Sequence, residues 1–227
     1  METSGRVGSL AALSAESDIP EVVENVTLPK SARSAKSLIP AAQSLLRNCG
    51  WSSSELDLIC VASGPGSFTG LRIGVTVAKT LAYATGASLV ETNTLAVIAA
   101  GISARYDRLW TIVDAQRGDL FAAKFEHEWQ SEQSSTPPTT IVPAARWIDQ
   151  LEPGDLIAGP PLSKMGSELP SGIRLAGDEL WEPQAEYVGR LGIQQARWGN
   201  TIETVQLVPQ YFRKSAAEEK VDLESHE

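Results

Sequence analysis

The residues with the spacing of a chemical site lie in one glycine-rich segment, SGPGSFTGLRIGVTVAKTLAYATG, at positions 63–86. Gly64-Pro65-Gly66 predicts a tight turn after a buried strand, and the apolar residues that follow predict a helix from Gly70 to Thr85. The free N–H groups at the start of such a helix favour anions. A phosphate-binding loop is therefore the first chemistry to consider.

The enzyme motifs closest to this pattern do not fit it. A P-loop requires a lysine after its last glycine, and here Leu71 follows Gly70. A dinucleotide-binding loop requires a third glycine where this chain has Thr69, and the G-x-S-x-G pattern of a nucleophile elbow is absent around Ser67. The loop is therefore not predicted to be any of these three sites.

Histidine and cysteine offer little further chemistry. His127 follows a predicted strand and His226 lies in a charged tail, so neither is a predicted catalyst. Cys60 lies in an apolar run and is predicted to be a core residue, whereas Cys49 ends a helix; two cysteines make no disulfide framework and indicate a reducing compartment. The spacings H-x-x-x-H, H-E-x-x-H and C-x-x-C are absent, so no metal site is predicted.

Length and charge limit the function classes. The chain has 227 residues, enough for one domain or two small lobes, and a net charge of −9. This charge argues against a stand-alone nucleic-acid-binding protein, which needs a basic surface. No apolar stretch reaches the roughly 18 residues that cross a membrane, and no signal-peptide pattern is present, so we expect a cytoplasmic protein without membrane contact.

Hydrophobic patterns predict an α/β protein of two lobes with mixed sheets. The predicted elements are strands at 6–15 and 21–28, a helix at 34–48, a strand at 56–62, a helix at 70–85, a strand at 87–91, a helix at 94–104, a hairpin from 108 that turns at 117–119, a short helix at 146–151, a strand near 155–161 and a helix at 186–199. We expect an N-terminal lobe at residues 1–104, a C-terminal lobe at 105–212 and a disordered tail at 213–227.

The helix at 70–85 has an apolar stripe that is wide for a helix covering one side of a sheet. Leu71, Val75, Ala78 and Ala82 share one face, and Gly74, Val77 and Leu81 lie on an adjacent one. Two interpretations stay open: a core helix with a buried stripe, or a stripe that in part contacts another chain.

Four segments together resemble the TsaB (YeaZ) family in sequence and in order. They are ETSGRVGSLAAL near the N-terminus, the glycine-rich segment, the hairpin DAQRGDLFAAKFE and the C-terminal LVPQYFRKSAAEEK. This bacterial family is part of the actin-like, sugar-kinase and heat-shock ATPase superfamily. The resemblance therefore implies the two-lobed, ribonuclease H-like α/β fold of that superfamily.

The resemblance also implies a function. TsaB-like proteins resemble the catalytic subunit TsaD but lack its metal-binding histidines, and they serve as a scaffold that pairs with TsaD. With the ATPase TsaE, the pair transfers a threonylcarbamoyl group to the adenosine beside the anticodon of tRNA. By this resemblance the chain is an accessory subunit rather than an enzyme by itself, tRNA binds mainly through the complex, and the chain when alone could instead form a homodimer.

Pairing in the family uses the first two helices of the N-terminal lobe. The implied partner interface consists of Leu38, Ala41, Leu45, Leu71, Arg72, Val75, Ala78, Lys79 and Ala82. The glycine loop would then be mainly architectural and would hold the second helix in place for the partner.

The superfamily binds nucleotide phosphates or metal at the place of Glu2, Thr3 and Ser4, near the loop glycines Gly64 and Gly66. A residual, weak site for ATP or ADP stays an open hypothesis there, although the resemblance implies no required cofactor. Ser34 stands where many members have a histidine, which argues further against a metal. Because the family has a strand before this triplet, we also expect that the start codon is misassigned.

Two enzyme classes of this superfamily are rival interpretations of the sequence. An M22-type peptidase would need the missing metal ligands, and a small-molecule kinase would need a catalytic aspartate and a longer chain. Neither requirement is met by a motif in this chain.

Polar and aromatic residues outside the glycine loop have predicted structural roles. Asp114 and Arg117 are predicted to stabilise a turn, with ligand contact as the competing hypothesis. Trp181, Tyr211 and Arg213 are predicted to pack the lobes together.

Overall fold

The structure is a computed structural model that describes residues 1–28, 35–126, 129, 136–165 and 168–213. Ser34, both histidines and the predicted tail beyond Arg213 lie outside the described residues. The described helices are α1 (Ala35–Cys49), α2 (Phe68–Thr85), α3 (Thr94–Ala100), α4 (Ala144–Ile148), α5 (Leu162–Met165) and α6 (Ala185–Arg197). The strands are β1 (Ser9–Ser14), β2 (Glu21–Thr27), β3 (Leu58–Gly64), β4 (Ser88–Asn93), β5 (Arg108–Asp114), β6 (Asp119–Glu126), β7 (Thr140–Pro143), β8 (Leu156–Ala158) and β9 (Arg174–Leu175).

The strands of the N-terminal lobe form two pairs with the first residues of the chain between them. β1 and β2 are antiparallel, and β3 and β4 are parallel. Glu2 and Ser9 exchange two backbone hydrogen bonds of 2.9 and 2.8 Å, while the Ala62 amide donates to the Met1 carbonyl over 3.2 Å. Residues 1 and 2 therefore bridge β1 to β3 in the manner of a very short strand.

Helices cover both faces of these strands. Along β3, Ile59 and Val61 contact α2, whereas Cys60 and Ala62 face the opposite side, as the alternation of side chains along a strand requires. On that opposite side α6 packs closely, since a Cβ on its Gly192 would lie 2.2 Å from the Cys60 Sγ. α6, the last helix of the described residues, thus completes the N-terminal lobe. Cys60, predicted to be a core residue, is half-buried and packs against the cluster on this side.

The C-terminal lobe contains a five-stranded mixed sheet in the order β7-β6-β5-β8-β9. β5 and β6 form the predicted antiparallel hairpin, and β8 pairs with β5 in parallel. The sheet has a buried cluster on each face: Leu109 and Val113 of β5 belong to the one shared with α3, and Trp110 and Ile112 to the other. The mixed α/β class is therefore confirmed.

Several predicted boundaries were wrong for local reasons. α2 begins at Phe68 rather than Gly70 because the Ser67 Oγ accepts a hydrogen bond of 3.3 Å from the Gly70 amide and caps the helix. The helix predicted at 94–104 ends at Ala100, where Gly101 follows as the C-cap residue. Within the residues that the structure describes, no helix is both long and apolar enough to cross a membrane.

Candidate functional site

The glycine loop and the first turns of α2 lie directly on the N-terminal triplet. A Cβ on Gly70 would lie 2.0 Å from the Thr3 carbonyl oxygen, and one on Gly74 would lie 2.2 Å from the Thr3 Oγ1. A Cβ on Gly66 would likewise lie 2.7 Å from the Ser4 Cβ. Only glycine permits the loop and the helix to approach the triplet this closely.

Hydrogen bonds join the same groups. The Thr3 hydroxyl donates to the Gly70 carbonyl over 2.8 Å, and the Ser67 amide donates to the Ser4 carbonyl over the same distance. Thr3 is 9% exposed and Ser4 2% exposed, so little of either residue can reach a ligand. The structure therefore brings the predicted phosphate-site residues together and engages them with one another.

Gly64 makes a different contact. Its φ of +139° favours glycine, and a Cβ there would lie 2.6 Å from the Gln210 carbonyl oxygen. The Gln210 amide donates to the Ser63 carbonyl over 2.8 Å, which adds a second close contact between the loop and the C-terminal segment. Gly64, a predicted site residue, therefore allows the backbone of the loop to pass close to the backbone at Gln210.

Glu2 is fully buried beside this contact. Its Oε1 accepts hydrogen bonds from the Ser4 hydroxyl at 2.7 Å, from the Gly5 amide at 3.0 Å and from the Ser4 amide. Its Oε2 is buried without a hydrogen-bond partner among the described residues. Burial raises the pKa of Glu2 to about 7, although the bonds from Ser4 and Gly5 oppose this shift.

The start of α2 is capped in part by a serine of the loop. Ser67 caps the Gly70 amide with its side chain, and its carbonyl accepts a hydrogen bond of 2.8 Å from the Leu71 amide. Of the helical N–H groups expected to face the turn, that of Gly70 is therefore already satisfied, because a serine supplies the acceptor that an anion would provide.

A cleft of about 1060 Å³ lies between the two lobes. Its walls come from residues 4–6, from the glycine loop, from the β5–β6 turn, from residues 160–165 and from residues 210–213. The charged side chains that line it are Arg6, Asp114, Arg117, Asp119, Lys164, Glu182 and Arg213. Sequence reasoning found Asp114 and Arg117 but missed Arg6 and Lys164, which have no motif around them.

The β5–β6 turn has a conformation that its own residues support. Gln116, Arg117 and Gly118 have φ angles of +67°, +56° and +82°. The Asp114 Oδ1 accepts a hydrogen bond of 2.7 Å from the Gln116 amide, which holds the start of the turn. The predicted turn-stabilising role of Asp114 is confirmed.

The C-terminal segment, residues 202–213, crosses from one lobe to the other. The Tyr211 ring stacks on Phe68 of α2 with a centroid distance of 4.6 Å. The Arg213 guanidinium donates to the Ala115 carbonyl over 2.6 Å and to the Asp119 carboxylate over 2.5 Å, both in the other lobe. The prediction that Tyr211 and Arg213 pack the lobes together is confirmed, whereas Trp181 packs between the buried clusters on the two faces of the C-terminal sheet.

The expected partner-contact residues on α1 and α2 require a correction. Six of them are buried in the core of this chain: Leu38, Leu45, Leu71, Val75, Ala78 and Ala82. Val75, Ala78 and Ala82 pack against β3 and β4, and Leu38 and Leu45 pack with Leu10 of β1. Because these side chains are buried within their own chain, they are inaccessible to a partner, and the interpretation of the stripe as core applies to them.

The other three expected residues differ from these. Arg72 is exposed, with its guanidinium carbon 4.8 Å from the centre of the Phe68 ring. Lys79 is half-buried and donates to the Leu207 carbonyl over 3.0 Å. Ala41 is half-buried and packs against the cluster that contains Leu10, Leu38 and Leu45.

A separate set of residues on the two helices faces solvent. On α2 the exposed row is Arg72, Thr76, Thr80 and Tyr83, and on α1 it includes Ile39, Gln43 and Arg47. Tyr83 is 87% exposed and Ile39 40% exposed. We call these seven residues the outer face. The two helices that carry them contact each other.

No group of three or more His, Cys, Asp or Glu side chains with the arrangement of a metal site occurs among the residues that the structure describes.

Comparison with known proteins identifies the family. A family model described as TsaD, tRNA N6-adenosine threonylcarbamoyltransferase, matches residues 21–158, which is more than half of the chain. The chain belongs to this family, in its TsaB (YeaZ) group. The predicted family is therefore confirmed.

Two curated relatives share the name tRNA threonylcarbamoyladenosine biosynthesis protein TsaB. The protein from Bacillus subtilis is 33% identical over 135 residues, which span 59% of this chain and 58% of that protein. The protein from Escherichia coli is 26% identical over 197 residues, which span 81% of this chain and 82% of that protein. The match to the first of these relatives thus covers less than two thirds of its length, and the match to the second covers most of it.

A solved structure supports the fold. YeaZ from Pseudomonas aeruginosa superposes with a TM-score of 0.74 over 93% of this chain and 97% of that chain, at 22% sequence identity. The two-lobed actin-like α/β fold with mixed sheets that the resemblance implies is confirmed.

Proposed function

We propose that this chain is a non-catalytic scaffold subunit in the biosynthesis of threonylcarbamoyladenosine in tRNA. The curated relatives in Bacillus subtilis and Escherichia coli are named for that pathway. In this proposal the chain pairs with a TsaD-like catalytic subunit, works with a TsaE-like ATPase, and meets tRNA mainly through the assembled complex.

The packing of the glycine loop supports an architectural role for it. In a phosphate-binding loop, small residues leave space for the ligand. Here the space beside Gly66, Gly70 and Gly74 is filled by Thr3 and Ser4 of the same chain. The loop thus anchors α2 rigidly, which is what a helix that carries an interface requires. No cofactor is needed for this role, and a weak ATP or ADP site would have to use the cleft rather than these buried groups.

The observation that carries the pairing proposal is the outer face of α1 and α2. Tyrosine and arginine are over-represented among residues that dominate interface energies, and this face presents Tyr83 almost fully exposed together with Arg72. Ile39 adds apolar surface on the adjacent helix. We therefore assign the partner contact to the exposed rows rather than to the buried stripe.

Co-purification with the TsaD-like subunit of the same organism tests this assignment. In a double variant, Thr76→Arg with Thr80→Arg, two bulky cations stand in the middle of the exposed row. We expect this variant to fold, because both side chains are exposed, and to lose the partner. The matched control, Ala145→Arg with Gln150→Arg, adds the same charges at exposed positions in and just after α4 and is expected to pair like the wild type.

Each result has a clear meaning. If the wild-type chain fails to pair, the scaffold function is overturned. If the outer-face variant pairs as well as its control, the contact lies elsewhere on the chain. Sedimentation of the isolated wild type and variant tests whether a homodimer uses the same face, and turnover of ATP by the isolated chain would favour a small-molecule kinase.

A further inference from the structure

An aromatic stack stands at the edge of the interlobe cleft. Phe68 and Tyr211 both line the cleft, with their rings 4.6 Å apart and inclined by 23°. The Arg72 guanidinium lies 4.8 Å from the centre of the same Phe68 ring. Two aromatic rings and one guanidinium thus form a small layered group.

Tyr211 is the accessible member of the stack. Although its ring lies against Phe68, Tyr211 remains 45% exposed. Part of this side chain can therefore meet another planar group. Tyrosine offers a large flat surface with few rotatable bonds, so such a contact orders little additional side chain.

Hydrogen bonds hold the chain both before and after Tyr211. The neighbouring Gln210 amide donates to the Ser63 carbonyl, and Arg213 is bound to Ala115 and Asp119. The ring is therefore presented on a segment that is tied to both lobes, and a ligand would meet a surface that is already organised.

The charge around the stack differs from that of the whole chain. The chain has 19 basic and 28 acidic residues. The cleft, in contrast, is lined by four basic side chains and three acidic ones, namely Arg6, Arg117, Lys164 and Arg213 against Asp114, Asp119 and Glu182. Arg72 adds a cation beside the stack. A phosphate is therefore repelled less here than over an average part of this acidic surface.

We propose that Tyr211 is a stacking platform for an unpaired nucleobase of an RNA strand, whose phosphates lie near the basic side chains of the cleft. Unpaired bases stack on aromatic rings and arginine planes, and basic grooves follow the backbone of a single strand. This inference rests on the proposed function, in which tRNA is the substrate, and adds to it a direct RNA contact made by this chain.

Fluorescence anisotropy with the full chain and a labelled single-stranded RNA of about 12 nucleotides tests the platform. The protein is titrated at low salt to about 300 μM, beyond the range of weak non-specific binding. We expect saturable binding that Tyr211→Ala weakens by about 5- to 150-fold, the loss that corresponds to one stacked base. Tyr211→Phe retains the ring and is expected to bind within about twofold of the wild type.

Two further variants separate stacking from packing. Tyr211→Leu keeps an apolar contact with Phe68 but has no planar ring, so it is expected to fold like the wild type and to lose RNA affinity. Val205→Ala changes an exposed residue, 81% accessible, on the same C-terminal segment and is expected to leave binding unchanged. Thermal unfolding of each variant establishes that it is folded.

The outcomes are distinct. No saturable binding by the wild type, or equal binding by the wild type and a folded Tyr211→Leu variant, overturns the platform. Displacement of the RNA by AMP at an affinity equal to that of the strand assigns the stack to a free nucleotide and overturns the strand contact. Co-purification with the TsaD-like subunit, run on the same variants, is expected to be unchanged by Tyr211→Leu. Failure of the wild type to pair, in contrast, would overturn the scaffold function alone.

Discussion

At the scale of single residues, missing Cβ atoms and one buried carboxyl decide how the start of the chain is held. Gly70 and Gly74 allow α2 to touch Thr3, and the Glu2 side chain accepts hydrogen bonds from the amides of Ser4 and Gly5. The sequence identifies Gly70 and Gly74 as members of the glycine-rich segment. It does not reveal that the surface they approach is another part of the same chain, because Thr3 and Gly70 are 67 positions apart.

Replacing Gly70 with alanine should destabilise the fold more than replacing a glycine that has free space. The new Cβ would lie 2.0 Å from the Thr3 carbonyl oxygen, so backbone must move, and we expect the free energy of unfolding to fall by about 3 kcal/mol. Gly86→Ala is the control, since its Cβ meets nothing within 4 Å and only its φ of +77° is unfavourable, at about 1 kcal/mol. Urea unfolding measures both, and equal losses would contradict the packing argument.

Glu2 should make stability depend on pH. Its pKa is about 7 in the folded chain, whereas an unfolded glutamate titrates near 4.3. Below the unfolded pKa the carboxyl is neutral in both states. As the pH rises towards 7 the unfolded state ionises first, so stability is lost, and the loss levels off above the folded pKa.

The Glu2→Gln variant isolates this contribution. Between about pH 5 and pH 8, the stability of the wild type relative to the variant should fall by about 2 to 3 kcal/mol. The comparison cancels the titrations of groups that do not interact with Glu2. Two stability curves that stay parallel across this range would show that Glu2 does not titrate there.

At the scale of elements, the C-terminal segment connects regions that the sequence presents as separate. Its Ile202 amide donates to Leu89 of β4 over 2.9 Å, the Leu207 side chain is fully buried against α2 and β3, and Arg213 reaches the β5–β6 turn. Polar and proline residues in this stretch predict no helix or strand. Its place in the fold depends on side chains that enter gaps made by distant elements.

Loss of the Arg213 side chain should loosen this segment. Arg213→Ala removes hydrogen bonds from a cation to the Ala115 carbonyl and the Asp119 carboxylate, and we expect stability to fall by about 2 kcal/mol. Hydrogen exchange should become faster at the amides of residues 207–213. Arg47→Ala, which removes an exposed arginine near the end of α1, is the control and should leave those amides unchanged. Unchanged exchange in both variants would mean that Arg213 does not hold the segment.

At the scale of the whole molecule, the two lobes share one buried cluster. It contains Ala62 of β3, residues 95–99 of α3, Phe125 of β6 and Leu191 of α6. The division at residue 104 stays a prediction, and the structure adds that α6 and the C-terminal segment pack against the strands at the beginning of the chain. A boundary in sequence is therefore not a boundary between independent cores.

A fragment of residues 1–104 should consequently fail to fold by itself. Without α6, the side of β3 that carries Cys60 and Ala62 would be exposed, and the apolar residues of α3 would lose the sheet of β5. Calorimetry should give one cooperative transition for the full chain and none for the fragment. A fragment with its own cooperative transition would contradict the shared core, and addition of residues 105–213 in trans tests whether the missing part restores it.

The sequence by itself determined the local elements and the family. The 3.6-residue period predicts α2, a short glycine-containing turn predicts the β5–β6 hairpin, and the order of four motifs indicates the TsaB (YeaZ) family and its two-lobed fold. Only the tertiary structure decided which face of α2 meets solvent, that Thr3 and Ser4 fill the space beside the loop glycines, and that Tyr211 stacks on Phe68. The physical reason is that periodicity describes one element at a time. Burial and contact, in contrast, depend on residues far apart in the chain that folding brings together.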